Sequence, residues 1–252
     1  MGFDVAADSY DRFMGRFSEP LADQFVDLLA LEPGQRALDV GCGPGALTAR
    51  LVEVLGAGSV AAVDPSEPFV KAARARFPEA DIRIGSSDHL EFDDDSFDYT
   101  VAQLVVHFMT DPVAGLTEMR RVTKPGGLVA ASVWDFAGER APLSLFWRAV
   151  RNLSPTAVDE SALPGAREGH LSELFTAAGL TSVRTSTITV TLHFATFDDW
   201  WNPFLLGVGP AGAYLGGLDA AARENVGAEC ARLVGSVPFQ IDATAWVATG
   251  RA

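Results

Sequence analysis

The chain has 252 residues, 48% hydrophobic and 21% charged, a composition that buries a full core and excludes disordered or collagen-like character. Its 33 acidic and 19 basic side chains give a net charge of −14, which disfavours a protein that grips nucleic acid or an anionic membrane by bulk electrostatics. Only Cys42 and Cys230 are present, so a disulfide framework and a four-cysteine metal site are both excluded.

The length fits one domain, 1–252, with room for insertions. No basic segment followed by an apolar run opens the chain, so no secretory signal is expected. The longest uncharged stretch, 200–218, is broken by five glycines and two prolines and predicts no spanning helix. The expectation is a cytoplasmic protein without stable membrane anchoring.

In chain order, residues 36–42, 60–64, 82–86, 97–106 and 128–134 read as strands, short and rich in β-branched residues. Helical stripes fall between them: Leu47, Leu51 and Leu55; then Phe69, Ala73 and Phe77; then Val113, Leu116 and Met119. The last ends at a predicted turn, Lys124-Pro125-Gly126-Gly127. Residues 136–169 form a loop-and-helix stretch punctuated by Pro142, Pro155 and Pro164, and 170–179 is a short amphipathic helix. Residues 181–194 and 240–250 read as strands, separated by two further segments at 196–207 and 218–235. Strand–helix alternation predicts parallel strands with right-handed crossovers, hence a three-layer α/β sheet that binds ligands outside its carboxyl strand ends.

The most informative segment is 37–45, ALDVGCGPG, in which an apolar strand ends in alternating glycines and opens a helix. Glycine permits positive φ and close approach of backbone to a ligand, and a helix start presents free N–H groups. Such a loop alone is shared by phosphate and dinucleotide binders. Asp39, two residues before the first glycine, repels a pyrophosphate and attracts an ammonium group. Asp64, ending the next strand, can accept hydrogen bonds from both hydroxyls of a ribose.

These residues resemble the class I S-adenosylmethionine-dependent methyltransferases, particularly the branch that serves ubiquinone and menaquinone biosynthesis. ALDVGCGPG is similar to that family's glycine motif and VAAVDPSEPFVKAAR to its ribose motif. SFDYTVAQLVVHF resembles the fourth-strand motif, RVTKPGGLVAASVW the entry to the fifth strand, and YDRFMGRFSEPLA an opening segment that helps close over the cofactor. The resemblance covers about half the chain, from Tyr10 to Trp134. It implies a Rossmann-like sheet, mostly parallel with one antiparallel strand near the C-terminus, and S-adenosylmethionine as cofactor with S-adenosylhomocysteine as product. A cofactor-covering segment at 1–35 and lid insertions at 136–169 and 196–235 complete the expected domain.

The resemblance also implies site residues. Asp39, Gly41 and Gly43 would cradle the methionine portion, Asp64 would hold the ribose, and Pro65 and Ser66 would lie beside the adenine. Ala102 and Gln103 would line the sulfonium side. Tyr10, Met14 and Arg16 would cover the cofactor, with Arg16 as partner for its carboxylate. At the adenine edge the chain departs from its relatives, which usually carry aspartate directly after the glycine ending the third strand. Here Gly85 is followed by Ser86 and Ser87, and the acid is delayed to Asp88, so either a serine oxygen or Asp88 meets the adenine amino group.

Other features have plainer readings. Six of the eleven residues in 88–98 are acidic, but the spacing lacks the glycine of a calcium loop and describes a solvated turn. No metal site is assigned. Cys42 is a small residue that fits a tight loop, and no base is assigned beside it. His107 follows an apolar strand end on the ligand side, as a packing residue or a base. The aromatic group Phe146, Trp147, Phe197, Trp200, Trp201 and Phe204 is either core or the lining of a lid over a small, apolar methyl acceptor. The competing functions are an NAD(P)-dependent oxidoreductase and a non-catalytic S-adenosylmethionine-binding protein.

Overall fold

The computed structural model describes residues 7–252. A helical arm begins it, formed by α1 (Ala7–Tyr10), a π-helical turn (Asp11–Gly15) and α2 (Arg16–Leu29). Phe17, Leu21, Phe25 and Leu29 recur every four residues on α2, and all four are buried. The alternating part follows with β1 (Ala37–Val40), α3 (Ala46–Leu55), β2 (Val60–Asp64), α4 (Glu67–Arg76), β3 (Asp81–Ile84), β4 (Phe97–Gln103), α5 (Pro112–Val122) and β5 (Thr123–Trp134). The remainder comprises α6 (Ser144–Leu153), α7 (His170–Ala177), β6 (Thr181–Phe194), α8 (Phe197–Trp201), α9 (Gly209–Gly216), α10 (Ala220–Val234) and β7 (Phe239–Arg251).

The seven strands form one sheet in the order β3-β2-β1-β4-β5-β7-β6. The β1–β5 neighbours pair in parallel, and β7 runs antiparallel to both β5 and β6. The expected mostly parallel sheet with one antiparallel strand near the C-terminus is therefore present. Side chains alternate across it as the pleat requires. Val101 of β4 packs with α2 and α3 residues on one face, whereas Ala102 packs with α5 and α7 residues on the other.

Local signals set the helix starts. Asp111 caps α5 by accepting from the N–H groups of Val113 and Ala114, both at 3.0 Å, and Pro112 supplies the preset φ of the first turn. One expected turn is corrected. Residues 124–127 lie within β5, because the C-terminus gives them partners. The Gly126 N–H donates to the Ala252 carbonyl at 3.1 Å, and Arg251 donates to the Gly126 carbonyl at 3.0 Å. Among the described residues no helix is long and apolar enough to cross a membrane.

Candidate active site

Strand order reverses direction at β1, which lies between β2 and β4, and such a switch point opens a crevice at the carboxyl strand ends. The chain leaves β1 through Gly41, whose N–H donates to the Val63 carbonyl of β2 at 2.8 Å. Gly41 has φ 74°, and a Cβ there would come within 2.5 Å of Val105, so both conformation and space demand glycine. Gly43, at φ 55°, has open space where a Cβ would stand. A cleft of about 730 Å³ begins there, lined by Gly41, Gly43, Asp64, Pro65 and Ser66 on the β1–β2 side. Gln103, Leu104, Val105 and Phe108 from the end of β4 line the opposite side, with Tyr10 of the arm and Lys71 of α4.

Asp64 is the organised acid of this cleft. One carboxylate oxygen accepts from the Gly43 N–H at 2.9 Å and the other from the Ser66 N–H at 2.8 Å. A carboxylate offers about four lone-pair sites, so two remain for further donors. Burial raises its pKa, opposed by the two backbone hydrogen bonds. Gln103 donates to the Ser18 carbonyl at 2.9 Å, while its buried Oε1 has no partner among the described residues. A ligand donor in the cleft would satisfy that oxygen.

The other sequence-based site residues fall into different places. Asp39 is buried behind the glycine loop, 1% exposed, and accepts from the Thr48 hydroxyl at 2.7 Å. It ties β1 to α3 and does not line the cleft. Burial pushes its pKa up to about 7, with the Thr48 hydrogen bond opposing and the nearby Asp64 adding to the rise. Arg16 lies outside the lining of the cleft. It pairs with Asp199 of α8 at 3.2 Å, donates to the Asp199 carbonyl at 2.9 Å and lies over the Phe194 ring. It borders a separate surface groove with Thr196 and Asn202, because its position on α2 turns it away from the glycine loop. Ala102 does not line the cleft either: strand alternation places it in the core on the α5 and α7 face. Ser86, Ser87 and Asp88 follow β3 at the edge of the sheet, and none of them lines the cleft. Cys42 is buried, and that burial raises its thiol pKa, which keeps it protonated and inert.

Beside the cleft lies a small chamber of about 40 Å³, which shares Tyr10, Leu104 and Phe108 with it as common lining. Met14 borders this chamber and not the cleft. Phe13, Trp134, Phe136 and Val208 make its walls apolar. The Phe136 wall is fixed by Asp135, whose carboxylate accepts from the Gly138 N–H, Arg140 and the Trp246 indole at 2.6–3.0 Å. Three polar side chains also line the chamber: His107, Glu160 and the indole of Trp134. His107 Nδ1 and Trp134 Nε1 are buried and have no partner among the described residues. Burial pushes His107 down to about 3, so its imidazole is neutral.

Glu160 has no signature in the sequence. It sits in the proline-punctuated segment after α6, is 3% exposed, and accepts from the Trp147 indole at 2.7 Å. Burial pushes its pKa up to about 7, opposed by that hydrogen bond and reinforced by Asp159. Of the two readings left open for the aromatic group, core packing describes Phe146, Trp147, Trp200 and Phe204, all buried. Trp200 packs at a tilt against Phe204, which contacts Phe13 and Phe146, all with ring centroids within 5.0 Å. Phe146, Trp200 and Phe204 are buried in the core and do not line the chamber, whose aromatic lining comes chiefly from Tyr10, Phe13, Phe108, Trp134 and Phe136.

Residues 38–131 match the model of a methyltransferase domain. The chain is 33% identical over 135 residues to a demethylmenaquinone methyltransferase of Lysinibacillus sphaericus, covering 50% of this chain and 58% of the relative. It is 30% identical over 183 residues to a demethylmenaquinone methyltransferase of Bacillus velezensis, covering 64% and 78% respectively. The chain spans about half the length of several curated relatives it matches, 40% to 58% for three of them. Among solved structures it resembles a Haemonchus contortus phosphoethanolamine N-methyltransferase in complex with S-adenosylhomocysteine. The TM-score is 0.61 at 16% identity, covering 99% of this chain and 57% of that one, a likeness of fold.

Proposed function

The chain belongs to the S-adenosylmethionine-dependent methyltransferases, and on that premise we propose that it transfers a methyl group to a small, largely apolar molecule by in-line displacement. The observation that carries this reading is the cleft at the β1–β2 ends, where the backbone of Gly41 and Gly43 is exposed beside a carboxylate with two free acceptor sites. The site fits the cofactor. Asp64 would hold the ribose hydroxyls, Gly41 and Gly43 would approach the amino-acid end, Pro65 and Ser66 would border the adenine, and the Gln103 Oε1 would accept from a ligand donor. When bound, S-adenosylmethionine supplies an electrophilic methyl group.

The chain's own residues bind, orient and dry the site. Asp39 acts at one remove, holding α3 against β1 through Thr48. Tyr10 lines both cleft and chamber, packing edge-on against Phe69 at 5.3 Å, and burial and the charge of Asp64 keep its phenol protonated. The segments 136–169 and 196–235 form the acceptor side, with Phe136, Leu143, Glu160 and Val208 in the chamber wall. Holding reactants in contact and excluding water contributes about 7–11 kcal/mol to such reactions. The partner is a small molecule and not nucleic acid, as the charge of −14 supports, and the protein works in the cytoplasm. Mass spectrometry of ligand retained through purification tests the reading. S-adenosylmethionine or S-adenosylhomocysteine is expected, and a nicotinamide dinucleotide would overturn it.

A further inference from the structure

The chamber beside the cleft contains more polar chemistry than packing requires. Its walls are aromatic and aliphatic, yet among the described residues Glu160 has no cationic partner and the buried indole N–H of Trp134 has no acceptor. An unanswered buried polar group costs about 1–3 kcal/mol, so a ligand that accepts from the Trp134 indole gains accordingly. The cations nearby are committed elsewhere. Arg151 of α6 pairs with Asp159 and Glu139, which leaves the adjacent Glu160 unneutralised. His107, on the chamber's other side, is neutral, and the Tyr10 phenol is protonated.

We propose that Glu160, clamped by Trp147, is the proton acceptor for a methyl acceptor bearing an acidic hydroxyl, of phenol or enol type, bound in this chamber. The proposal rests on the methyltransferase reading and adds the class of acceptor and the residue that deprotonates it. A hydroxyl can both donate to a carboxylate and accept from an indole N–H, whereas an ammonium has only donors and leaves the Trp134 N–H unpaired. In the reaction the O–H bond breaks and its proton passes to Glu160. The electron pair left on oxygen forms the new bond to the methyl carbon, and the pair of the broken sulfur–carbon bond stays with sulfur. A carboxylate whose pKa burial raises to about 7 is a competent base near neutral pH. Ring-sized ligands require more than the present 40 Å³, and the wall residue Val208 stands between Gly207 and Gly209, both in left-handed backbone, φ 76° and 63°.

The test measures binding without turnover. The wild type and Glu160→Gln, which keeps an acceptor for Trp147, are titrated with 4-chlorophenol, 4-chloroanisole and 4-chlorobenzylamine by tryptophan fluorescence. Both are also titrated with S-adenosylhomocysteine by calorimetry. The proposal expects the wild type to bind 4-chlorophenol and Glu160→Gln to bind it at least about tenfold more weakly. The anisole and S-adenosylhomocysteine are bound alike by the two. Trp147→Phe, which loosens the clamp and leaves the acid, is expected to weaken 4-chlorophenol binding by about threefold to tenfold, and decides the matter if Glu160→Gln does not fold. Equal affinity of wild type and variant for 4-chlorophenol, no binding by the wild type, or a preference for the benzylamine that depends on Glu160 would each overturn it. Failure of the wild type to bind S-adenosylhomocysteine would instead strike the methyltransferase reading, whatever the phenol does.

Discussion

The cleft and the chamber share Tyr10, Leu104 and Phe108 but are built by different means. The cleft is made chiefly of backbone: glycines at positive φ, N–H groups held by Asp64, and strand ends fixed by parallel pairing. The chamber is made of side chains brought from five separate parts of the chain: the helical arm, the end of β4, the end of β5, the segment after α6, and the start of α9. A backbone-built site tolerates few sequences, because each conformation has its own residue requirement. A side-chain-built site can change its chemistry one residue at a time while the fold stands, which suits a constant cofactor and a variable acceptor.

Four substitutions test this contrast, beginning with the largest effect. Trp200 is 3% exposed and packed among rings in the core, so Trp200→Ala should cost about 3–5 kcal/mol of stability in urea unfolding. Cofactor affinity of the folded fraction should be unchanged; a normal unfolding midpoint with lost acceptor binding would make Trp200 lining and not core. Asp64→Ala should weaken S-adenosylhomocysteine binding by about 100-fold or more, on the order of 3 kcal/mol, since two charge-assisted hydrogen bonds disappear. Calorimetry showing a change below about threefold would remove Asp64 from the ribose site.

Glu160 gives the third test through pH. Its folded pKa near 7 stands above the ordinary value of 4.5, so between those pH values the folded state holds a proton that the unfolded chain has released. The contribution is present below pH 4.5 and lost as pH rises through 7. Glu160→Gln should therefore raise stability by about 1–3 kcal/mol at pH 8 and by little at pH 4.5. A gain equal at both pH values would show that Glu160 titrates as an ordinary exposed acid. Arg16→Ala should have the smallest effect, below about 1 kcal/mol in stability and within about twofold in S-adenosylhomocysteine affinity, because its partner Asp199 is an exposed surface acid. A large loss of affinity would return Arg16 to the cofactor site.

What was legible in the sequence follows the same division. ALDVGCGPG and VAAVD announce the cleft because positive φ selects glycine and a strand-end carboxylate selects aspartate, so conformation is written locally. The strands were legible for a similar reason, with β2 and β6 falling at their expected bounds. Orientation was less so. Arg16 and Ala102 lie in the expected elements yet point elsewhere, since helix phase and strand alternation depend on packing partners far along the chain. Asp39 stands at the expected strand end but turns to Thr48, nine residues on. Glu160 was invisible because an acidic residue in a proline-rich segment reads as solvated surface. Only the Trp147 indole and the aromatic walls, assembled in three dimensions, make it a buried base. The KPGG segment misled for a related reason, as its strand partners come from the far end of the chain.

The central claim is that the cleft between β1, β2 and β4 takes S-adenosylmethionine, and calorimetric titration of the wild-type chain with S-adenosylhomocysteine and, separately, with NADH addresses it most directly. The account predicts saturable binding of one S-adenosylhomocysteine per chain, lost in Asp64→Ala, and no heat from NADH. Binding of NADH with none of S-adenosylhomocysteine would contradict it.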